Sequence, residues 1–345
     1  MKVLITGGAG FIGSRLAERL YKSNYEVVLL DNFSYGRNDN LIFDDLDLQK
    51  SVIRLDIRDK EALEKIFKEN IFDYIYHIAA ISPLPDCQNN PAEAVEVNVT
   101  GTVNVFELAR KYGTNRVLFS STSSVYENIK ELPSREDMVI QMPSLVYPIT
   151  KFQAEIFARG YFDVYNVPVT VFRFGNVYGP AMDFIRKFPP AAAAFIKNLY
   201  HDKPPIIYDT GKQARDFIYT EDLLNLITLA MQGEGFDILN VGTGTQNSIN
   251  EMANQIARIM GKEDIKPLYK DAAVFWDSFP QLFKGKYQMN KKYLIKETVK
   301  PVKLSMTHAK EKYNYESKYS FYEGLKKTVE KVSLDIEKYD KKING

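Results

Sequence analysis

Cysteine is almost missing from this 345-residue chain: Cys87 stands alone, so no internal disulfide can form and a disulfide-stapled secreted scaffold is excluded. Histidine is nearly as scarce. His77, His201 and His308 are scattered without the close spacing of a metal centre, so a metal-free site is expected. Charge bias is absent as well, at net +1, which removes the electrostatic case for nucleic acid or an anionic membrane surface as partner. No apolar run approaches the roughly 20 residues that a membrane-spanning helix requires. Thr6 and four glycines interrupt the one N-terminal stretch that superficially resembles a signal peptide. The expectation is a soluble, cytoplasmic protein in a reducing compartment.

What the chain does contain begins at its first strand. Lys2-Val3-Leu4-Ile5-Thr6 runs into Gly7-Gly8-Ala9-Gly10-Phe11-Ile12-Gly13, then an amphipathic stretch, then Glu26-Val27-Val28-Leu29-Leu30-Asp31. That order is a strand, a glycine turn, a helix and a second strand ending in an acid. Glycines allow a tight turn and close approach to a pyrophosphate, and the amides at the helix start hold its negative charge. Asp31 is placed to accept hydrogen bonds from an adenosine ribose, and its charge would repel a 2′-phosphate, so NAD is favoured over NADP. Gly7, Gly10, Phe11, Ile12, Gly13, Asp31 and the neighbouring Asn32 are therefore candidate cofactor residues.

At 45% hydrophobic residues the length suits one large core with a smaller lobe. Up to 177, short β-branched runs at 3–6, 27–30, 52–55, 74–77, 117–120 and 169–172 alternate with helical stretches. Most are apolar on both faces, as in a parallel sheet covered on each side, so a doubly wound α/β domain is expected over 1–177. From Tyr178, Pro180, Pro189, Pro190, Pro204 and Pro205 punctuate shorter segments. The expectation for 178–345 is mainly a smaller α/β substrate-binding lobe, with segments around 215–243 packing back on the first domain. Two helical stretches, 91–112 and 150–166, are apolar around their circumference, which points to a homodimer in which they meet their symmetry mates. The stretch 284–303 carries seven lysines against the single acid Glu297. It reads as a solvated face, with the alternative that a lysine reaches a substrate phosphate.

The second constellation is Tyr147-Pro148-Ile149-Thr150-Lys151. A tyrosine and lysine four apart at a helix start share one face, and a cation beside a phenol lowers its pKa from about 10 toward neutrality, making a general base. The spacing also occurs at Tyr126/Lys130, Tyr208/Lys212, Tyr287/Lys291 and Tyr322/Lys326, so position must decide. Only Tyr147/Lys151 opens a long helix in the nucleotide-binding half and follows a hydroxyl-rich strand end, Ser120-Ser121-Thr122-Ser123-Ser124. Those hydroxyls can hydrogen-bond the oxygen that the tyrosine deprotonates.

With these residues the chain resembles the extended short-chain dehydrogenase/reductases, in their NAD-dependent nucleotide-sugar epimerase/dehydratase group. The resemblance runs over nearly the full length through His77-Ile78-Ala79-Ala80, Asn98-Val99-Thr100-Gly101-Thr102, Arg173-Phe174-Gly175-Asn176-Val177-Tyr178-Gly179-Pro180, Arg215-Asp216-Phe217-Ile218-Tyr219 and Asn240-Val241-Gly242-Thr243-Gly244. It implies a Rossmann-type fold, with Thr122, Tyr147 and Lys151 catalytic. It also implies Asp56, Ile57, Ala79, Ala80 and Asn98 near the NAD cofactor, with Tyr147 and Lys151 reaching it too. Thr122, Asn176 and Arg215 fall where the family contacts its nucleotide-diphosphate sugar.

The implied reaction starts with Tyr147 taking the proton of a sugar hydroxyl, at C4, as hydride leaves that carbon. Family dehydratases carry an Asp-Glu pair directly after the catalytic Thr, and the decarboxylating branch tends to have an acid at the second of these places. Here they are Ser123 and Ser124, which cannot do that acid/base work at neutral pH. The reading is a nucleotide-sugar 4-epimerase acting through a transient 4-keto intermediate. The alternatives are a 4-dehydrogenase releasing the keto sugar, a 4,6-dehydratase, and a non-catalytic nucleotide-sensing scaffold. Three departures from the family pattern are Glu127 in place of glycine, the segment Ser82-Pro83-Leu84-Pro85-Asp86-Cys87, and Lys300-Pro301-Val302 where an Arg-Pro-Gly-Asp-like stretch is usual.

Overall fold

The structure, a computed structural model, describes residues 1–43 and 45–344. Seven parallel strands form the central sheet, in the order Phe236–Val241, Val169–Phe174, Arg116–Thr122, Tyr74–His77, Lys2–Thr6, Glu26–Asp31 and Val52–Arg54. The six strands expected from the sequence all form, several with an extra residue or two at their ends. The seventh comes from residues 236–241. Its pairing with Val169–Phe174 brings a late segment to the sheet edge, a contact of high sequence separation that local patterning cannot reveal.

Helices cover both faces, so the central strands are buried on both sides: every residue of Arg116–Thr122 is buried, including the polar Arg116, Ser120, Ser121 and Thr122. One face packs Leu16, Leu20, Leu223 and Leu226, the other Phe106, Leu108, Ala154 and Ala158. Chain order reverses where Thr6 pairs with both Leu30 and His77. At that switch point the strand ends leave a crevice, the ordinary ligand site of such sheets. Beyond it, the helices Ala191–Tyr200, Ile249–Ile259 and Phe321–Asn344 enclose a separate apolar cluster of Phe195, Ile196, Met252, Ile256, Leu325 and Val332.

The stretch expected as one helix over 91–112 is three joined pieces: Pro91–Val95, a π-helical turn Glu96–Gly101, and Thr102–Tyr112. Its apolar residues mostly serve this chain's own core, with Val97, Val105, Phe106 and Leu108 buried and, of the large ones, only Val95 exposed. The other helix starts at Val146, four residues before the expected 150, and ends at Tyr165. It leaves Ile156, Phe157, Val164 and Tyr165 exposed. Among the described residues no helix is long and apolar enough to cross a membrane.

Candidate active site

The glycine turn makes the floor of the crevice. Gly7 has φ +72°, and a Cβ there would lie 2.8 Å from the Ala79 amide nitrogen; one on Gly13 would lie 2.1 Å from the Gly7 carbonyl oxygen. Side chains are thus excluded from the place where strand, turn and helix come closest. The helix Phe11–Lys22 has Gly10 as N-cap and no side chain capping its first turn, so its leading amides are left for an anion. Asp31 accepts from the amides of Ala9 at 2.9 Å and Phe33 at 2.7 Å. Burial raises its pKa while those two amides pull the other way.

These groups open on one cavity of about 530 Å³. It is lined by Gly7, Gly10, Phe11, Ile12, Gly13, Asp31, Asn32, Asp56, Ile57, Ala79 and Ala80 at one end and by Thr122, Tyr147 and Lys151 at the other. The volume lies within the range of roughly 300–1,000 Å³ usual for ligand sites. At the cofactor end Asp56 accepts from Asn32 at 2.8 Å and pairs with Arg58 at 2.9 Å. Burial opposes its ionisation, but the hydrogen bonds from Arg58 and Asn32 prevail and hold it down at about 2.

Three expected site residues are not among the lining groups. Asn98 is buried, accepting from the Ile81 amide at 2.8 Å and donating to the Ile81 carbonyl at 2.9 Å and to Thr150 at 3.1 Å. It braces the wall behind Ala79 and Ala80 instead of facing the cavity. Gly175 and Val177 line the cavity, so Asn176 between them, in an alternating strand, turns its exposed side chain elsewhere. Arg215, in the short strand Ala214–Arg215, is half-buried and donates to the Glu297 carbonyl at 2.9 Å. In the other direction, Tyr35, Arg58, Asp183 and Arg186 line the cavity without any signal in the sequence beyond the adjacency of Arg58 to Asp56.

His77 sits beneath the catalytic end. Thr102 donates to the Asn98 carbonyl at 2.7 Å, which makes its oxygen the acceptor for His77 Nε2 at 2.9 Å and leaves Nδ1 to accept from Thr6 at 2.7 Å. This assignment of the tautomer follows from the hydrogen-bond network. Burial, with Lys151 adding to it, lowers His77 to about 3, so it stays neutral.

At the catalytic end Thr122 Oγ1 accepts from the Ser124 amide at 3.1 Å, leaving its proton to donate. Burial pushes the Tyr147 phenol up, and the hydrogen bond from Thr122 pulls it back toward the phenolate. Lys151 donates to the Ser120 carbonyl at 2.7 Å and lies 5.0 Å from the centre of the Phe119 ring. The expected lowering of Tyr147 by Lys151 is therefore not what the protein shows on its own. Desolvation dominates, and the ammonium is engaged by a carbonyl. Burial also lowers Lys151 to about 8, against the opposing influence of Cys87 and Glu155.

A pH dependence follows. Since kcat/KM reports groups of the free enzyme, it should fall by about tenfold per pH unit above pH 8 as the Lys151 ammonium loses its proton, and Lys151→Met should abolish that limb. Stability runs the other way. The folded pKa of about 8 is below the ordinary value of 10.5, so between these the unfolded chain binds the proton more tightly and folding gains as pH rises. An alkaline limb centred well away from pH 8 would refute the assignment.

The comparisons with known proteins agree with this geometry. Residues 3–242 match the NAD dependent epimerase/dehydratase family. The chain belongs to that family. It is 32% identical over 97% of both chains to a UDP-glucuronate 4-epimerase of Thermodesulfobacterium geofontis. It is also 29% identical, over 95% of this chain and 97% of the other, to a UDP-N-acetyl-alpha-D-glucosaminuronate decarboxylase of Bacillus cytotoxicus. The crystal structure of the UDP-glucose 4-epimerase of Thermotoga maritima with UDP-glucose superposes with a TM-score of 0.85 at 30% identity, covering 97% of this chain and 100% of that one. As a member of the family, the chain is an NAD-dependent enzyme. The glycine cradle, the uncapped helix start and Asp31 fit that cofactor.

Proposed function

We propose that the protein is a nucleotide-sugar 4-epimerase working through a transient 4-keto sugar. The observation that carries the reading is the pair Ser123 and Ser124 directly after Thr122. Family dehydratases carry an Asp-Glu pair there and the decarboxylating branch tends to have an acid at the second place, and serine does neither acid nor base work at neutral pH. The acids that line the cavity are committed elsewhere. Asp31 and Asp183 cap backbone amides, Asp56 pairs with Arg58, and Glu93 accepts from Asn90 at 2.8 Å. Epimerisation asks for no further acid.

NAD held by Gly7, Gly10, Gly13 and Asp31 would supply the hydride acceptor and donor that a reversible oxidation of the sugar carbon requires. Tyr147 takes the proton of the C4 hydroxyl as its C–O bond becomes a carbonyl, and gives it back when the alcohol reforms. Thr122 donates to the same oxygen and so favours the phenolate, while Lys151 keeps its ammonium on the Ser120 carbonyl one helical turn away. In this reading residues 1–177 hold the cofactor and 178–345 mainly hold the sugar nucleotide, with Asn176 and Arg215 at its diphosphate after a local rearrangement. The UDP-sugar relatives and neighbour support UDP as the nucleotide.

Incubation with UDP-glucose, UDP-glucuronate and UDP-N-acetylglucosamine tests the reading. The C4 epimer should form without net NADH; stoichiometric keto product and NADH would make the protein a dehydrogenase instead, and loss of water or carbon dioxide would also overturn it. The reading includes a homodimer seated on Ile156, Phe157, Val164 and Tyr165, exposed apolar residues of one helix. Light scattering at micromolar concentration should give twice the chain mass, and a monomer would refute it.

A further inference from the structure

Two stretches remain outside this reading: the unusual segment at 82–87 and the lysine-rich run at 284–303. In the fold they meet. The helix Leu84–Asn89 packs against the short helical turn Pro280–Phe283, and Gln281 hydrogen-bonds Asn89 across the contact. Behind it, Trp276, Phe279 and Leu294 form a small apolar core with Leu145. Residues 271–299 thus make a cap, and what it covers is the backbone immediately before Tyr147.

That backbone has an unusual means of support. The helix Val146–Tyr165 has Leu145 as N-cap, which offers no side-chain acceptor to its orphan amides. Remote side chains supply them. Glu127 accepts from the amides of Ser144 at 2.9 Å and Leu145 at 3.4 Å, which accounts for an acid where the family usually has glycine. Gln88 accepts from the Val146 amide at 3.2 Å. With its other atom Gln88 donates to the Met289 sulfur in the cap at 3.5 Å. One side chain therefore touches both the cap and the residue preceding Tyr147.

The arrangement is incompletely satisfied. Glu127 Oε1 and Trp276 Nε1 are buried without a hydrogen bond, whereas Glu297 Oε2 and Lys300 Nζ meet as an ion pair at 3.3 Å. Buried polar groups left in this state mark a place where water or a ligand completes the structure, or where a segment changes position. The lysines on the outside of the cap would draw an anionic ligand toward it.

We propose that residues 271–299 form a cap that reseats on the helix Leu84–Asn89 when a nucleoside diphosphate binds, with Gln88 the positioning residue that passes its seating to Tyr147. This rests on Tyr147 being the catalytic base. The cap is coupled to that base through the amide of Val146, so ligand seating and assembly of the catalytic end occur together.

Two readouts need no turnover. Trp276 is the only tryptophan of the chain and lies inside the cap, so its emission reports the seating. Hydrogen exchange reads the cap at 272–294 and the helix start at 144–150 separately. UDP, or whichever of UDP, dTDP, GDP and CDP binds by equilibrium dialysis, should change the Trp276 emission and slow exchange in both segments. In Gln88→Ala the cap should still respond, while 144–150 exchanges about fivefold faster than in the wild type. kcat should fall about tenfold with KM within about twofold. Gln88→Glu, which keeps an oxygen for the Val146 amide, should recover most of the loss. Bound nucleotide that leaves both Trp276 emission and cap exchange unchanged would overturn the proposal, as would Gln88→Ala with wild-type exchange at 144–150. A wild-type protein that epimerises no sugar would defeat the proposed function while the exchange data still decide the cap.

Discussion

Tyr147→Phe is expected to lower kcat by about 10³-fold, within the range for loss of a positioned general base and equivalent to about 4 kcal/mol of barrier. The change deletes one oxygen and keeps the ring, so folding and cofactor retention should be unaffected: Tm should stay within a degree or two of wild type, and NAD should remain at one equivalent after gel filtration. Thr122→Ala should cost less, about 10²-fold, because it removes a hydrogen bond to the reacting oxygen and leaves the base in place. If Tyr147→Phe turns over any accepted sugar at the wild-type rate, another group is the base. His77 is excluded from that role, since burial makes it a weak base and both its ring nitrogens are engaged by Thr6 and Thr102.

The parts of this site that could be read from the sequence are those whose chemistry is local. Gly7, Gly13 and Asp31 lie within one strand-turn-helix-strand unit, where spacing alone fixes what each residue must do, and the structure places them on one cavity wall. The Tyr147/Lys151 spacing was ambiguous on its own, occurring five times, and was resolved only by its place between a hydroxyl-rich strand end and a long helix. What escaped is set by contacts distant in sequence. Asn98, within the π-helical turn Glu96–Gly101, bonds Ile81 and Thr150 instead of lining the cavity. Arg186 reaches the cavity from a proline-punctuated loop with no pattern to announce it. The Lys151 charge was legible, but not its engagement by the Ser120 carbonyl, because burial and backbone direction decide that.

Glu155→Gln should produce the largest loss of stability of any single substitution near the site. Glu155 and Arg173 are 4% and 3% exposed, and Arg173 Nη2 lies 2.7 Å from Glu155 Oε2 with Nε 3.2 Å from both carboxylate oxygens. Ser121 also donates to Glu155, and Arg173 donates to Tyr126 at 2.8 Å. The pair therefore ties the strand Val169–Phe174 to the helix carrying Tyr147 and Lys151, and the Ser121 hydrogen bond joins the strand carrying Thr122 to the same carboxylate. Removing the carboxylate charge leaves a guanidinium buried and uncompensated, which costs about 3–5 kcal/mol, or a fall in Tm of about 4–7 °C for a chain of this length. The pair itself need contribute little, since two charges must be desolvated to make it. Glu155→Leu combined with Arg173→Met should accordingly recover at least half of the lost Tm. It should not recover kcat, because the apolar pair no longer holds Ser121, the neighbour of Thr122, against the catalytic helix. Calorimetry and steady-state rates on the same three proteins separate these effects. A Glu155→Gln protein that melts within about 2 °C of wild type would show that the ion pair is not the brace described.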